Sequence, residues 1–167
     1  MSNIRPELRP IDPRGPRFGA GVTTVVLAAI LVLGPHSPMA RVLLTIQLLA
    51  FAAGAVLGLQ AQPYGWLFRK AIRPRLSPPA ELEAPEPPRF AQAVGLIFAL
   101  VATVGLIIGA PVVFYLAIGA ALGAAFLNAV FNYCLGCEMY LLLRRVTGAN
   151  KSEPRTIKVD KAPSRTA

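Results

Sequence analysis

The sequence predicts an all-α membrane protein with four transmembrane helices, arranged as two parallel-repeat hairpins that are each followed by a short cytoplasmic amphipathic helix. Hydrophobic residues make up 54% of the 167-residue chain, and its mean hydropathy is +0.55. This apolar content exceeds what the core of one soluble domain of this length needs. The apolar residues lie in four long runs, and two short motifs recur in the same order, which predicts the spans and the repeat.

The four apolar runs predict the spans in chain order. The first covers residues 18–33 and the second covers 39–59, with the turn GPHSP between them. The third covers 90–109, and Pro111 opens the fourth, which reaches residue 133. At a rise of about 1.5 Å per residue, a run of about 20 residues crosses roughly 30 Å of hydrocarbon.

The motifs indicate an internal repeat. PRGPRF precedes the first run and recurs as PEPPRF before the third, and PYGWLFRK follows the second run as EMYLLLRR follows the fourth. Each half therefore contains a Pro-Arg-Phe motif, a hairpin and a basic amphipathic segment. Because each half holds an even number of spans, the repeats are expected to be parallel, related by an axis along the membrane normal.

These features divide the chain into five parts. Residues 1–17 form a cytoplasmic N-terminal segment, 18–76 the first hairpin repeat with its amphipathic helix, and 77–89 a Pro-rich acidic linker. Residues 90–147 form the second hairpin repeat with the CLGC motif. The basic, polar tail at 148–167 is expected to be disordered.

The distribution of charge predicts the orientation. Of 17 Lys and Arg residues, four precede the first run, five lie between residues 60 and 89, and seven follow residue 133, whereas the hairpin turns hold only Arg41. The positive-inside rule therefore places both termini in the cytoplasm and predicts a multi-pass protein of the inner (plasma) membrane. The basic residues are not interleaved with aromatic residues on one patch, so the expected partner is the lipid bilayer and not nucleic acid.

The strongest candidate for chemistry is the dithiol of Cys134 and Cys137, the two cysteines of the chain. In a continuous helix the two side chains would share one face. With a break at Gly136, Cys134 would lie near the N-terminus of a helix that begins at Glu138, where the helix dipole lowers the pKa of a thiol. Glu138 is a candidate proton relay.

Zinc ligation and plain packing of small apolar residues remain open as alternatives for this pair. A closed zinc site takes four ligands, and the chain offers one CxxC and a lone His36 on the predicted opposite side. Zinc would therefore need a second chain, and no metal or cofactor is predicted for one chain alone.

The cysteine count limits the redox mechanism. With two cysteines in the chain, an independent thiol relay across the bilayer is excluded. The pair would instead exchange electrons with cytoplasmic partners, with a quinone or with a partner subunit. The dithiol is its expected resting state in the reducing cytoplasm.

Four further residues are candidates because they flank this pair or its predicted counterpart. Asn128 and Asn132 are one helical turn apart and lead into the CLGC turn. They form either a hydrogen-bonded seam, in which Gln47 could be a partner, or a polar stripe that faces a substrate or quinone. Under the repeat, Tyr64 and Trp66 occupy the place of CLGCEMY, as interface anchors or as part of one cytoplasmic surface. The predicted spans hold no charged residue inside, which argues against ion-coupled transport.

Small residues at GxxxG spacing favour close helix packing, within one bundle or in a homo- or hetero-oligomer. The pairs are Gly54 and Gly58, Gly105 and Gly109, and Gly119 and Gly123.

Four longer stretches form a recognisable set: PRGPRF, QPYGWLFRKAIRPRL with PPAELE, PEPPRFAQAVGL and FNYCLGCEMYLLLRR. With them, the chain resembles an actinobacterial family of small integral membrane proteins known as a domain of unknown function, family 4395, over about residues 11–146. Members are often encoded near thioredoxin-like or rhodanese-like proteins, so the resemblance implies thiol or sulfur chemistry with such a partner. It implies a fold and a CLGC signature but no reaction, and a non-catalytic accessory or anchor subunit of a larger membrane complex is the alternative function.

Overall fold

The computed structural model describes residues 10–79, 81–147 and 157–158. The α-helices of this part are α1 (Arg14–Leu33), α2 (Pro38–Ala52), α3 (Pro63–Leu67), α4 (Glu86–Ile107), α5 (Pro111–Phe131) and α6 (Leu135–Val146). Two short strands, β1 (Glu81–Leu82) and β2 (Ile157–Lys158), pair antiparallel. The described chain is therefore almost entirely helical, as predicted.

Two of these helices continue in other helical turns. A π-helical turn, Ala53–Leu57, extends α2. A π-helical turn, Phe68–Ile72, and a 3₁₀ turn, Arg73–Arg75, extend α3. With these extensions, the segment after the second span is one short helical stretch.

Four of the described helices are long and apolar enough to cross a membrane: α1, α2 with its extension, α4 and α5. Their outward faces carry large apolar side chains, such as Val32, which is 87% exposed, and Ile107, which is 78% exposed. Apolar side chains on the outside of a bundle suit contact with lipid. The predicted four spans are confirmed, and the chain is a multi-pass membrane protein.

Most of the spans begin or end slightly earlier than the apolar runs, although α1 ends at Leu33 and α5 begins at Pro111, as predicted. α1 begins at Arg14 and α4 at Glu86, before the predicted residues 18 and 90, because proline is tolerated in the first turn of a helix and does not delay its start. The second and fourth spans end before Gly58 and Asn132, which both adopt positive φ angles. A positive φ takes the backbone out of the right-handed helix at those residues.

The two hairpin turns have the predicted helix breakers. Gly34 has a φ of 73° and ends α1, and Ser37 caps α2 by accepting a hydrogen bond from the backbone N–H of Ala40 at 3.4 Å. Gly109, with a φ of 69°, precedes Pro111 in the second turn. Glycine at positive φ and proline in the first helical turn suit tight reversals.

The core runs along the middle of the bundle. α5 packs against α1 and α4, α2 packs against the same two helices, and α6 lies on α4. Each spanning helix contributes fully buried apolar side chains, including Leu27, Leu44, Ala102 and Ile118. The core therefore holds the four spans together and leaves α3 and α6 outside it.

The predicted linker at 77–89 is tied down at its middle. β1 pairs with β2, and Glu83 exchanges two backbone hydrogen bonds of 2.9 Å with Ile11. Apart from β2, the predicted tail at 148–167 lies outside the described residues, as do residues 1–9 of the N-terminal segment.

Candidate functional site: the CLGC turn and its cavity

One end of the bundle, here called the CLGC end, holds the beginnings of α1 and α4, the last turns of the second and fourth spans, α3 and α6. Two arginines connect these parts. The Arg17 Nε donates to the carbonyl of Ala129 at 3.1 Å, and the Arg89 Nε donates to the carbonyl of Ala55 at 2.8 Å. Each guanidinium also donates to the next carbonyl along, at 3.4 and 2.8 Å respectively. The last carbonyls of a helix lack partners inside it, so each arginine caps a span that belongs to the other half of the chain.

The turn before the cysteines is made by Asn132, whose φ of 56° is left-handed. Asparagine tolerates this conformation better than most residues, so α5 ends there. Cys134 is extended and forms the N-cap of α6, which begins at Leu135. Neither of the two possibilities for this segment, a break at Gly136 or a continuous helix, is observed, because the break lies at residues 132–134. Cys134 does lie at a helix N-terminus, as the first possibility implied.

The sulfurs of Cys134 and Cys137 are bonded to each other, so the pair is a disulfide here and not the dithiol expected at rest, and the Cα atoms are 5.2 Å apart. The backbone N–H of Cys137 donates to the Sγ of Cys134 at 3.3 Å. Both residues are partly exposed. The pair thus lies across the first turn of a helix outside the four spans, where the Sγ of Cys134 accepts a backbone N–H at the helix N-terminus.

Gly136 seats this turn on the bundle. It is buried, and a Cβ built on it would stand 2.6 Å from the Cα of Ala91. No side chain fits at that distance, so the backbone of α6 rests directly on α4. The rings of Phe90 and Tyr140, with centroids 5.7 Å apart, extend this contact along α6.

A cavity of about 490 Å³ opens beside the cysteines. It brings together five of the residues predicted from the sequence: Asn128, Asn132, Cys134, Cys137 and Glu138. Glu138 is exposed, and its role as a proton relay stays a prediction.

The expected partnership between Gln47 and the two asparagines is wrong. The Tyr64 hydroxyl donates to the Oε1 of Gln47 at 2.9 Å, and the Nε2 of Gln47 is buried with no partner in the described chain. The side chains of Asn128 and Asn132 likewise make no hydrogen bond within the described ranges. The asparagines line the cavity, and they form no seam with Gln47 in the second span.

Tyr64 and Trp66 lie in α3, away from this cavity. Trp66 is 53% exposed, and the Nζ of Lys70 stands 4.9 Å from its ring centroid. The structure therefore separates these two aromatic residues from the CLGC pair, and their role as interface anchors stays a prediction.

Sequence reasoning missed further polar residues of the cavity, among them Arg17, Glu83 and Gln92. Burial, and secondarily the neighbouring Glu81, raise the pKa of Glu83 above its ordinary value. Arg17 belongs to the PRGPRF motif. An arginine directly precedes an apolar run in both halves, and this recurrence was a signal from which a structural contact could have been predicted. For Glu83 and Gln92 the sequence offered no signal.

Metal ligands are few near the cysteines. In the ranges that the structure describes, no three His, Cys, Asp or Glu side chains lie close enough together to hold a metal ion.

Comparison with known proteins gives one match. A family model described as "Domain of unknown function (DUF4395)" matches residues 11–145. No curated protein and no solved structure matches the chain. The matched range includes the four spanning helices and the CLGC pair but brings no activity with it, so any function must be argued from the geometry.

Proposed function

The chain belongs to the DUF4395 family, and we propose that its CLGC pair undergoes thiol–disulfide exchange with a soluble thioredoxin-like or rhodanese-like protein. The observation that carries this proposal is the partly exposed Cys134–Cys137 pair across the first turn of α6, outside the spans. A pair that served only to fill space would be expected inside the bundle. Here a thiol of another protein has access to the sulfurs.

The chemistry balances between the two proteins. A thiolate of the reduced partner attacks one sulfur of the pair, the Cys134–Cys137 bond breaks, and a mixed disulfide forms. The second thiol of the partner then releases it as a disulfide and leaves two thiols on this chain. In the reverse direction, Cys134 is the attacking thiolate, because it is the sulfur that receives the N–H of Cys137. With a rhodanese-like partner, the same thiolate would attack the outer sulfur of the partner's persulfide, the S–S bond of that persulfide would break, and the partner's cysteine would leave as a thiolate.

The surface around the pair suits a soluble partner with acidic groups. Arg144 and Arg145 lie in the last turn of α6, and Arg69 and Lys70 lie in the extension of α3 at the same end. Opposite charges on two surfaces raise their rate of encounter. We also propose that the CLGC end faces the cytoplasm of a cell bounded by the plasma membrane, because positively charged residues gather there.

We further propose that the two halves are parallel repeats, and two sets of contacts support this. The interval that separates Arg17 from Arg89 also separates Phe18 from Phe90 and Phe68 from Tyr140. The ring centroids of Phe18 and Phe68 are 5.8 Å apart, and those of the pair at Phe90 are 5.7 Å apart. Each half thus places an aromatic residue after its PR dipeptide against an aromatic residue of its short helix.

The experiment uses the purified full chain in lipid nanodiscs and a soluble thioredoxin as the probe. Reduction of the wild-type disulfide by reduced thioredoxin is followed by alkylation and mass shift, and compared with reduction of a peptide that contains CLGC. We expect faster reduction of the protein. A rate equal to that of the peptide would contradict a specific exchange site.

Single-cysteine variants test the assignment of roles. A thioredoxin with an activated mixed disulfide at its attacking cysteine is offered to Cys137→Ser and Cys134→Ser. We expect Cys137→Ser, which retains Cys134, to form the trapped complex faster. The same rate for both variants would show that the N-terminus of α6 does not favour Cys134 as the attacking thiolate. Labelling of intact cells with membrane-permeant and impermeant alkylating reagents checks the proposed orientation.

A second candidate function, a non-catalytic subunit of a larger assembly, is favoured by one face of α5. A Cβ built on Gly119 or Gly123 meets nothing within 4 Å, whereas Gly54 and Gly105 are already in contact inside the bundle. An open small-residue face suits close approach of another helix. If another helix packs on this face, Gly123→Leu would change the mass of the assembly in nanodiscs. Thiol–disulfide exchange at CLGC would not be needed for the assembly to form.

A further inference from the structure

The cavity at the CLGC turn reaches deep into the bundle. Its wall includes Cys134 at one end and Thr23, Phe98 and Ala121 at the other. At about 1.5 Å per residue, Ala121 lies roughly 15 Å from the last residue of α5. A volume of about 490 Å³ falls in the range of small-molecule sites, roughly 300–1,000 Å³.

Most of the deep wall is apolar and made of small side chains. Ala121, Ala124 and Ala125 occupy one face of α5 along the cavity, and the rings of Phe51 and Phe98 stand on other walls. Methyl groups and aromatic rings on these walls suit contact with an apolar group of a ligand. The small side chains of α5 therefore leave room for this cavity, in addition to any role in helix packing.

In the other half of the chain a separate cavity of about 460 Å³ lies beside Gln60, Gln62 and Gly65, but the counterpart of the deep part of the CLGC cavity is filled. There the Tyr64 hydroxyl binds Gln47, and the Nε2 of Gln62 donates to the Oε1 of Gln92 at 3.0 Å. The Gln92 side chain also presses on Gly54, where a built Cβ would stand 2.8 Å from its Cγ. Two hydrogen-bonded pairs thus occupy this space, one within the first half and one between Gln62 of the first half and Gln92 of α4.

The counterparts of two of these residues are small. The sequence separation between Arg17 and Arg89 also separates Tyr64 from Gly136 and Ala20 from Gln92. Under the proposed repeat, Gly136 therefore corresponds to Tyr64, and Ala20 corresponds to Gln92. Both small residues line the cavity. Under the proposed repeat, the cavity beside the cysteines continues into the bundle, whereas side chains occupy the deep part of its counterpart in the first half.

Apart from Thr23, the polar groups of the cavity lie toward its cysteine end. The side-chain amide of Asn128 lines it without a hydrogen-bond partner among the described residues. An amide offers two N–H donors. A ligand that used this site would therefore present an acceptor oxygen near the sulfurs and an apolar body toward the middle of the bundle.

We propose that this cavity binds a membrane-soluble quinone, which accepts the electrons of the Cys134–Cys137 dithiol. A quinone has a planar ring with two carbonyl acceptors and an apolar tail, whereas a lipid acyl chain makes no use of an amide donor beside the sulfurs. The inference rests on the proposed function, since it supplies the membrane-side acceptor for electrons that a soluble partner delivers. With two cysteines in the chain, a second thiol pair cannot serve as that acceptor.

The reaction balances with the quinone as the only co-reactant. The two S–H bonds of the dithiol break and one S–S bond forms. The two electrons and two protons pass to the two carbonyl oxygens, which become the hydroxyls of a hydroquinone.

The test uses the pre-reduced full chain in nanodiscs. The probes are a benzoquinone and a naphthoquinone with fully substituted rings and short apolar tails, since an unsubstituted ring position would alkylate thiols. Absorbance follows the hydroquinone, and alkylation followed by mass spectrometry counts the remaining thiols. We expect one quinone to be reduced for each dithiol oxidised.

Two variants close the cavity in different ways. Ala124→Phe fills the cavity and should slow oxidation by about tenfold or more, and Asn128→Leu removes the donor at similar volume and should slow it by about five- to tenfold. The matched control is Leu116→Phe, at a 69% exposed position of α5 outside the cavity, which should leave the rate unchanged. Asn128→Leu keeps the test decisive if the bulkier variant does not fold.

The outcomes separate the two proposals. If thioredoxin reduces the wild-type disulfide but neither quinone oxidises the dithiol, the cavity proposal is overturned and the exchange proposal stands. Oxidation at an undiminished rate in Asn128→Leu and in folded Ala124→Phe also overturns it, because the quinone then reacts elsewhere. If thioredoxin does not exchange with the disulfide, the proposed function is overturned. The quinone measurement on the pre-reduced chain still decides the cavity proposal.

Discussion

Gly136 of α6 and Ala91 of α4 are in direct contact: a Cβ built on Gly136 would stand 2.6 Å from both the Cα and the Cβ of Ala91. Two helices approach this closely only where one of them has no side chain. The glycine inside the CLGC motif therefore serves the position of the whole turn. It holds both cysteines at the rim of the cavity.

Replacing this glycine tests that role. We expect Gly136→Ala to push α6 away from α4 and to lower the free energy of unfolding by about 1–3 kcal/mol, because the obstacle is backbone and cannot rotate aside. Thermal unfolding in detergent micelles measures the change. Gly21→Ala is the matched control, since a Cβ there meets nothing within 4 Å. Equal melting temperatures for the two variants would contradict the contact.

The hydrogen bond from Tyr64 to Gln47 is expected to stabilise the first half. Tyr64→Phe removes the donor and leaves a fully buried amide with neither end paired, which should cost about 1–3 kcal/mol. The double variant Tyr64→Phe with Gln47→Leu removes both polar groups, so it should unfold at a higher temperature than Tyr64→Phe alone. If the double variant is instead the less stable, the cost comes from lost packing and not from an unpaired amide.

The capping arginines are expected to contribute unequally. Arg89→Leu should destabilise more than Arg17→Leu, because the hydrogen bonds of Arg89 to its two carbonyls are shorter. The larger effect should be about 1–3 kcal/mol, the cost of leaving hydrogen-bonding groups unpaired. Melting temperatures of both variants are compared with that of Arg75→Leu, an exposed arginine that bonds only within its own segment. An effect of Arg89→Leu no larger than that of the control would exclude a capping role.

Asp12 should add a pH-dependent contribution at the start of α1. The Arg14 guanidinium donates to both carboxylate oxygens, at 3.0 and 2.8 Å, and lowers the pKa of Asp12. A carboxylate with a lowered pKa stabilises the fold above its unfolded value of about 3.9, and this contribution disappears as the pH falls through the lower folded value. The difference in melting temperature between wild type and Asp12→Asn should therefore be present at about pH 6 and shrink toward about pH 3. A difference that does not change with pH would show that the ion pair is not its source.

Most of the fold was predictable because its signals are local. The apolar runs and the breakers GPHSP and GAP gave four spans and their turns, with ends displaced by a few residues. The break before α6 was predicted at the wrong residue. Glycine adopts a positive φ most readily, which favoured Gly136, but here Asn132 adopts the left-handed φ. Asparagine is the other residue that takes this conformation readily, so the signal was present and was overlooked.

The site was predictable only in part. Asn128, Asn132, Cys134, Cys137 and Glu138 are neighbours along the chain, and they do share one cavity. The partner of Gln47 was wrong, because the side chain that reaches it comes from a separate helix whose position depends on packing.

By itself, the sequence determined the number, length and order of the membrane-spanning helices, since the apolar length needed to cross a bilayer is set within each run. It also determined that the two cysteines are one helical turn apart. The tertiary structure decided that their turn rests on Ala91, that Arg17 and Arg89 cap spans of the opposite half, and that small residues leave a cavity beside the sulfurs. These relationships join residues that are far apart in the chain, and only the packing of α1, α4, α5 and α6 brings them within contact distance.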